Sequence, residues 1–234
     1  MSPSSVRGSP PDVGVLIAAG GRGERAGAGE LKQLRPIAGV PMLLRAVRPF
    51  AQHPRVRQIV VALPGALAAR PPAWLADLCG ARLTVVAGGA TRTASVRAAL
   101  SALDSGCAIV LIHDAARPFV SYEEIDGVIA AAASGVGAIA AVPVADTLKQ
   151  EAPAGRVART VPRDDLWRAL TPQGFPRAML EAAYRAAGDD ALATDDAALV
   201  EAMGAAVTLV PGRVANFKVT TADDFAVAEA LARA

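Results

Sequence analysis

Val13-Gly14-Val15-Leu16-Ile17-Ala18-Ala19-Gly20-Gly21-Arg22-Gly23-Glu24-Arg25, followed by Lys32-Gln33, is the stretch from which the rest of the chain is read. Val13 to Ile17 is continuously apolar and runs into glycines, which predicts a buried parallel strand followed by a loop. Glycine lacks a Cβ, so the loop backbone can take positive φ and come close to a ligand. Successive N–H groups in such a loop form an anion cradle, and Arg25 and Lys32 add full positive charge. Strand, glycine loop and two cations together suit a polyphosphate. The same residues would also serve as a tight strand-to-helix turn carrying solvated basic side chains.

Bulk properties narrow the class. A chain of 234 residues, 53% hydrophobic and 20% charged, fits one globular α/β domain spanning residues 12–234. The net charge of +2 comes without a Lys/Arg-rich run, which argues against nucleic acid as a partner. Cys79 and Cys107 are the only cysteines, and reduced, buried thiols are expected of them. No CxxC or HxxxH pair occurs, so a structural zinc site is not expected. Residues 1–11 are Ser/Pro-rich and read as a disordered tail without a secretory h-region. No apolar run is long enough to span a membrane, and a cytoplasmic location is expected.

Along the chain, strand and helix signals alternate. Strands are predicted at Val56–Leu63, Leu83–Val86, Ala108–Ile112 and Ala138–Val142. Helices are predicted at Pro41–Phe50, Ala73–Leu78, Thr91–Leu103 and Ile125–Ala133. This alternation predicts a mainly parallel sheet with helices on both faces, in which ligands lie beyond the carboxyl ends of the strands. Three polar clusters follow strands directly: the glycine loop, then Gly88-Gly89 with Arg92 and Ser95, then His113-Asp114-Ala115-Ala116-Arg117-Pro118. The second of these opens a helix whose free N–H groups suit a phosphate or nucleotide.

Residues 144–163 break every helical pattern, and an extended hairpin arm turning near Pro153–Gly155 is expected. Arms of this kind pack on another subunit, so a homodimer is expected. Thr171-Pro172-Gln173 and a helix over Arg177–Ala187 follow. Thr194-Asp195-Asp196 reads as an N-cap opening the helix to Met203 at least as well as a catalytic group. Val207–Val210 and Asn216–Thr220 are predicted strands, and Thr221 caps a C-terminal helix.

Several chemistries are weighed by their residues. Gly21-x-Gly23-x-x-Ala26 matches the weak dinucleotide pattern, yet no Asp or Glu lies between Glu30 and Asp77 to hold a ribose. An NADP-dependent oxidoreductase escapes that objection. Walker A and GxSxG patterns do not occur. His113 reads as a partly buried, locally bonded histidine, and His53 as a solvent-exposed capping residue. A reaction in which an ionised phosphate attacks needs no general base, which suits a chain without a strong base candidate.

Taken in order, Ala18 to Arg25, Lys32-Gln33, Gly88-Gly89 with Arg92 and Ser95, His113 to Pro118, Asp146-Thr147-x-Lys149, Leu170 to Gln173, Thr194-Asp195 and Asn216-x-Lys218-Val219-Thr220 resemble one family over residues 13–233. That family is 2-C-methyl-D-erythritol 4-phosphate cytidylyltransferase, of non-mevalonate isoprenoid biosynthesis. The resemblance implies a Rossmann-like nucleotidyltransferase fold with a protruding β-arm, a homodimer, and transfer of CMP from CTP to methylerythritol phosphate with Mg²⁺. It implies a nucleotide site at Ala18, Ala19, Gly20, Gly21, Gly23, Gly88, Gly89, Arg92 and Ser95. Backbone groups of Ala18, Ala19, Gly20 and Gly89 would read cytosine, assisted by Ser95. Arg25 and Lys32 would hold the triphosphate, and Lys218 would act from the other side. Asp114, Arg117, Thr147, Thr171 and Thr194 would bind the acceptor, and Arg163 would reach its phosphate from the partner subunit. Mg²⁺ would sit mainly on CTP phosphates, without a protein ligand cage. The glycine loop is one residue longer than in many members, and Leu31 replaces a common proline. A sister activity on ribitol 5-phosphate is the nearest alternative.

Overall fold

A computed structural model describes residues 12–21, 31–188 and 193–234. The predicted tail, Gly23 and Arg25 lie outside the described residues.

The first strand, β1 (Val13–Ala18), is apolar throughout because it is buried on both sides. Val13, Val15 and Ile17 point into one core layer and Leu16 into the other. A minimal hairpin, β2 (Pro36–Ile37) and β3 (Val40–Pro41), leads to α1 (Met42–Gln52) and β4 (Val56–Leu63). Then come α2 (Gly65–Ala69), α3 (Ala73–Cys79), β5 (Leu83–Ala87), α4 (Arg92–Ser101), β6 (Ile109–Asp114), α5 (Tyr122–Ala133) and β7 (Gly137–Pro143). The chain continues through β8 (Leu148–Ala152), β9 (Arg156–Val161), β10 (Trp167–Pro176), α6 (Arg177–Ala187), α7 (Asp196–Ala202), β11 (Val207–Pro211) and α8 (Ala222–Arg233).

Seven strands form one sheet in the order β11-β7-β10-β6-β1-β4-β5. Every neighbouring pair is parallel except the two made by β10, which runs antiparallel to both β6 and β7. Val47 of α1, Leu75 of α3 and Ile125 and Val128 of α5 fill one face. Val96 of α4, Leu180 of α6 and Val200 of α7 fill the other. The predicted two-faced α/β sheet is therefore present. The capping residues also behave as read, since Asp195 accepts from Ala198 N–H and Thr221 from Asp224 N–H.

The predicted hairpin arm is β8 paired antiparallel with β9 in a sheet of its own, turning through Pro153–Gly155. Three readings need correction. Trp167–Pro176, expected only to carry a polar motif, is a ten-residue strand wedged between β6 and β7. Residues 216–220 form no strand; Val219 N–H donates to Ala116 O, and the segment packs with α8, Ile37 and Met42 in a small third core. His53 is buried, with Nδ1 accepting from Arg55 N–H and Nε2 against Asp126 Oδ1 at 2.9 Å. A helix-end histidine looks solvated in the sequence only because Asp126, on α5, is remote along the chain.

Candidate active site

Strand register builds the site. Ala18 lies level with Ala62 on one side and Asp114 on the other, and Leu63 lies level with Ala87. The segments leaving β1, β5 and β6 therefore emerge side by side at one sheet edge. Ala19 N–H donates to Ala62 O at 3.0 Å, and the Ala19 carbonyl accepts from the buried Gln33 amide at 3.1 Å. Gly88 N–H donates to Leu63 O at 2.7 Å.

These bonds press two glycine segments together. A Cβ on Gly88 would lie 3.1 Å from Gly20 Cα and 2.9 Å from Ser95 Oγ, so the approach requires glycine. Ser95 Oγ accepts from Gly89 N–H at 3.1 Å and donates to Thr91 O at 2.9 Å, which fixes the Gly88-Gly89 turn at the start of α4. Thr91 caps that helix by accepting from Ala94 N–H.

Beside the glycines lies a string of charges. Asp114 ends β6 with one oxygen, Oδ1, accepting from Arg92 Nε at 3.0 Å and the other, Oδ2, from Lys218 Nζ at 2.8 Å. Burial raises the Asp114 pKa, but Arg92 and Lys218, helped by Arg117, outweigh it and hold the carboxyl well below the usual range. Arg92 also pairs through a terminal nitrogen with Asp196 Oδ2 at 2.7 Å. Its guanidinium loses solvation by burial, yet the two carboxylates more than restore its charge.

Behind Asp114 most polar groups bond one another. Thr171 Oγ1 accepts from Asp114 N–H at 3.1 Å and lies 2.9 Å from His113 Nδ1, while His113 Nε2 lies 3.0 Å from Arg117 O. A carbonyl only accepts, so Nε2 carries the proton and Nδ1 takes the threonine hydroxyl's. Burial, the largest effect, pushes the His113 pKa down to about 4. Arg117 donates to Asn216 O at 2.9 Å and Ala169 O at 3.3 Å, tying the Lys218 segment to β10. Among the described residues three buried side-chain atoms, Arg117 Nε and Asn216 Oδ1 here and Asp196 Oδ2 beside Arg92, have no hydrogen-bond partner.

A family model described as IspD, 2-C-methyl-D-erythritol 4-phosphate cytidylyltransferase, matches residues 13–234. The chain belongs to this family. It is similar to the 2-C-methyl-D-erythritol 4-phosphate cytidylyltransferase of Frankia casuarinae, 49% identical over 94% of this chain and 81% of that protein. That of Saccharopolyspora erythraea is 47% identical over 94% of this chain and 98% of its own length. The crystal structure of the Thermus thermophilus cytidylyltransferase superposes with a TM-score of 0.80 at 38% identity, covering 95% of this chain and all of that one. Membership makes the chain a CTP-dependent cytidylyltransferase of nucleotidyltransferase fold and sets aside the oxidoreductase reading.

Against the family resemblance, the structure gathers Ala18, Ala19, Gly20, Gly88, Gly89, Ser95, Arg92, Asp114, Arg117, Thr171 and Lys218 at one sheet edge. Gly21 is exposed with no heavy atom of the described residues near its Cβ position, and Lys32 sits in a short 3-10 turn (Lys32–Leu34), partly exposed. Thr147 and Arg163 flank the hairpin and are exposed, as is Thr194 ahead of the α7 cap. Arg92, Arg117 and Thr171 are all engaged with protein groups, a commitment that residue type alone does not show. Sequence reasoning passed over Glu124, which is buried and receives Ser121 N–H, Arg213 N–H and the Asn216 amide. Its signal was present: Ser121 with Glu124 three residues on is a capping box.

Proposed function

We propose that this sheet edge is where CMP passes from CTP to the phosphate of 2-C-methyl-D-erythritol 4-phosphate, giving 4-diphosphocytidyl-2-C-methyl-D-erythritol and pyrophosphate. An acceptor phosphate oxygen bonds to the α-phosphorus of CTP as the bond to the pyrophosphate oxygen breaks. The observation that carries the residue assignment is Lys218, its ammonium held on Asp114 Oδ2 and its side chain 43% exposed beside the glycine segments. A cation fixed there opposes the negative charge on the phosphates, which is how phosphoryl transfer is accelerated. Lys32 takes the opposite side of the triphosphate, a role that the family resemblance also gives Arg25. The close approach of Gly20 to Gly88 presents backbone groups to the base, with Ser95 bracing Gly89.

No general base is required, because the attacking phosphate is already ionised. His113 fits that reading: it is fully buried, its ring nitrogens are both hydrogen-bonded, and it is held neutral. Asp114 takes part as the anchor of Lys218 and as an acceptor for a substrate hydroxyl, with Arg117, Thr171, Thr147 and Thr194 around the acceptor.

Mg²⁺ is the proposed accompanying cation. Among the described residues no group of three or more His, Cys, Asp or Glu side chains could hold a metal, and both Asp114 oxygens already face cations. The residues fit an ion that arrives on CTP phosphate oxygens and water. When bound, it would share the neutralisation of phosphate charge.

The homodimer is proposed on the hairpin arm. Among the described residues β8 and β9 pair only with each other, and Val157 on the arm is 62% exposed, which leaves an apolar side chain for a partner to cover. Arg163 would then enter the partner's site. Among the described residues no helix is long and apolar enough to cross a membrane. A cytoplasmic location is proposed on the two free, buried cysteines, Cys79 and Cys107.

The test is pyrophosphate release from CTP and Mg²⁺ with methylerythritol phosphate and ribitol 5-phosphate as parallel acceptors. Release with the first alone is the expected result. Release with ribitol 5-phosphate alone would overturn the acceptor assignment and leave the nucleotide half standing.

A further inference from the structure

Asp196 has no role in the chemistry described above, yet its side chain is 1% exposed, with one oxygen hydrogen-bonded to a hydroxyl and the other held in an ion pair without hydrogen-bond geometry. It is the first residue of α7, where the capping work is already done by Asp195. Its Oδ1 accepts from the Tyr184 hydroxyl at 2.5 Å, and its Oδ2 faces Arg92 at 2.7 Å. Burying a carboxylate is costly unless a cation and hydrogen bonds compensate it, so this site is built. Beyond Arg92 come Asp114 and Lys218. The order is carboxylate, guanidinium, carboxylate, ammonium, running from the interior between α6 and α7 out to the exposed lysine.

Donor geometry says what Asp196 does. A guanidinium beside a lone carboxylate adopts a fork, giving one N–H to each oxygen. Arg92 does not do this to Asp114; it gives Nε to Oδ1 alone, because its terminal nitrogen is drawn to Asp196. Asp114 Oδ2 therefore stays open to Lys218.

We propose that Asp196 is a positioning residue for CMP transfer: by drawing the terminal nitrogen of Arg92 into a second ion pair, it keeps one Asp114 oxygen for Lys218. The inference rests on the reading that Lys218 acts on the phosphates. Tyr184 holds the far side of Asp196 and so sets its orientation.

The test uses the full-length enzyme with Asp196→Asn, Tyr184→Phe, Lys218→Ala and Val200→Ala. Val200 is a fully buried residue of α7 with no part in the string, so its truncation loosens the same helix without touching the charges. In Asp196→Asn, kcat is expected to fall about ten- to hundredfold, the range that follows from a cation misplaced by ~1 Å. KM for CTP should stay within about twofold, because the glycine segments are untouched. Tyr184→Phe should move kcat the same way by less, and supplies the result if Asp196→Asn does not fold. Val200→Ala should lower the unfolding temperature with kcat kept.

A second readout does not depend on turnover. Acetylation of Lys218 by acetic anhydride, followed by mass spectrometry of the native protein, should become several-fold faster in Asp196→Asn as the ammonium leaves its carboxylate. In the Lys218→Ala background Asp196→Asn should have no further effect on kcat. Unchanged Lys218 acetylation, additive losses, or a Val200→Ala loss as large as that of Asp196→Asn would overturn the proposal. Full activity of Lys218→Ala would instead overturn the reading of Lys218 on which it rests.

Discussion

Lowering the pH should loosen this fold through one imidazole. His113 is wholly buried against Phe50, with ring centroids 5.0 Å apart, and its two nitrogens are satisfied only in the neutral form. Protonation would place an N–H at Nδ1 facing the Thr171 hydroxyl, whose oxygen already accepts from Asp114 N–H. Burial therefore carries the pKa from the ordinary 6.5 to about 4. Between those values the unfolded chain binds a proton that the folded chain refuses. Stability is thus full above the unfolded value and falls as the pH drops through that window, reaching its total loss below the folded value. At ~1.4 kcal/mol per unit the whole loss is about 3 kcal/mol. From about pH 7.5 to about pH 5, single-site linkage gives about 2 kcal/mol of it.

Urea unfolding of the wild type and of His113→Gln at those two pH values isolates this contribution, since the variant lacks the proton site and shares every other titrating group. The wild type should lose about 2 kcal/mol more than the variant over the interval. The chain has only two histidines, so their Cε1–H resonances give a direct check on the native protein. A His113 resonance titrating at about pH 6 or above, or equal losses in the two proteins, would refute the reasoning.

Other outcomes follow from particular contacts. Gly88→Ala should destabilise by about 1–3 kcal/mol and raise KM for CTP, because its Cβ meets the Gly20 backbone; Gly21→Ala, exposed and with no described residue near its Cβ position, should change stability by under about 0.5 kcal/mol. Thr171→Val strands His113 Nδ1 and Asp114 N–H in the interior and should cost about 1–3 kcal/mol, read by urea midpoint. If each site uses the partner's Arg163, mixing inactive Arg163→Ala and Lys218→Ala proteins should restore activity, since one mixed site contains both wild-type residues; absence of complementation in verified heterodimers would count against the shared site. Burial raises the thiols of Cys79 and Cys107 to about 11, so Ellman's reagent should label neither in the native state and both after unfolding.

Much of this architecture was legible in one dimension because its determinants are local. Val13 to Ile17 alternates between two core layers and must be buried on both faces. Pro153–Gly155 interrupts an otherwise extended arm, and Asp195 and Thr221 bring their own helix caps. The glycine segments were legible for the same reason, since each follows its strand directly. The family pattern added an ordered list of chemical residues.

Tertiary structure decided what those residues are attached to. β10 reverses and enters between β6 and β7, a pairing that no periodicity within Trp167–Pro176 encodes. Lys218 reaches Asp114 across 104 positions, and Arg117 ties Asn216 down from 99 positions away. Arg92 looked like a nucleotide ligand by type and place; the fold sets it between Asp114 and Asp196 and engages both ends. Charge partners of this kind depend on which strand ends and helix starts share an edge of the sheet. Hydrophobic periodicity is a property of each segment alone, whereas a guanidinium placed between two carboxylates exists only once three distant segments have met.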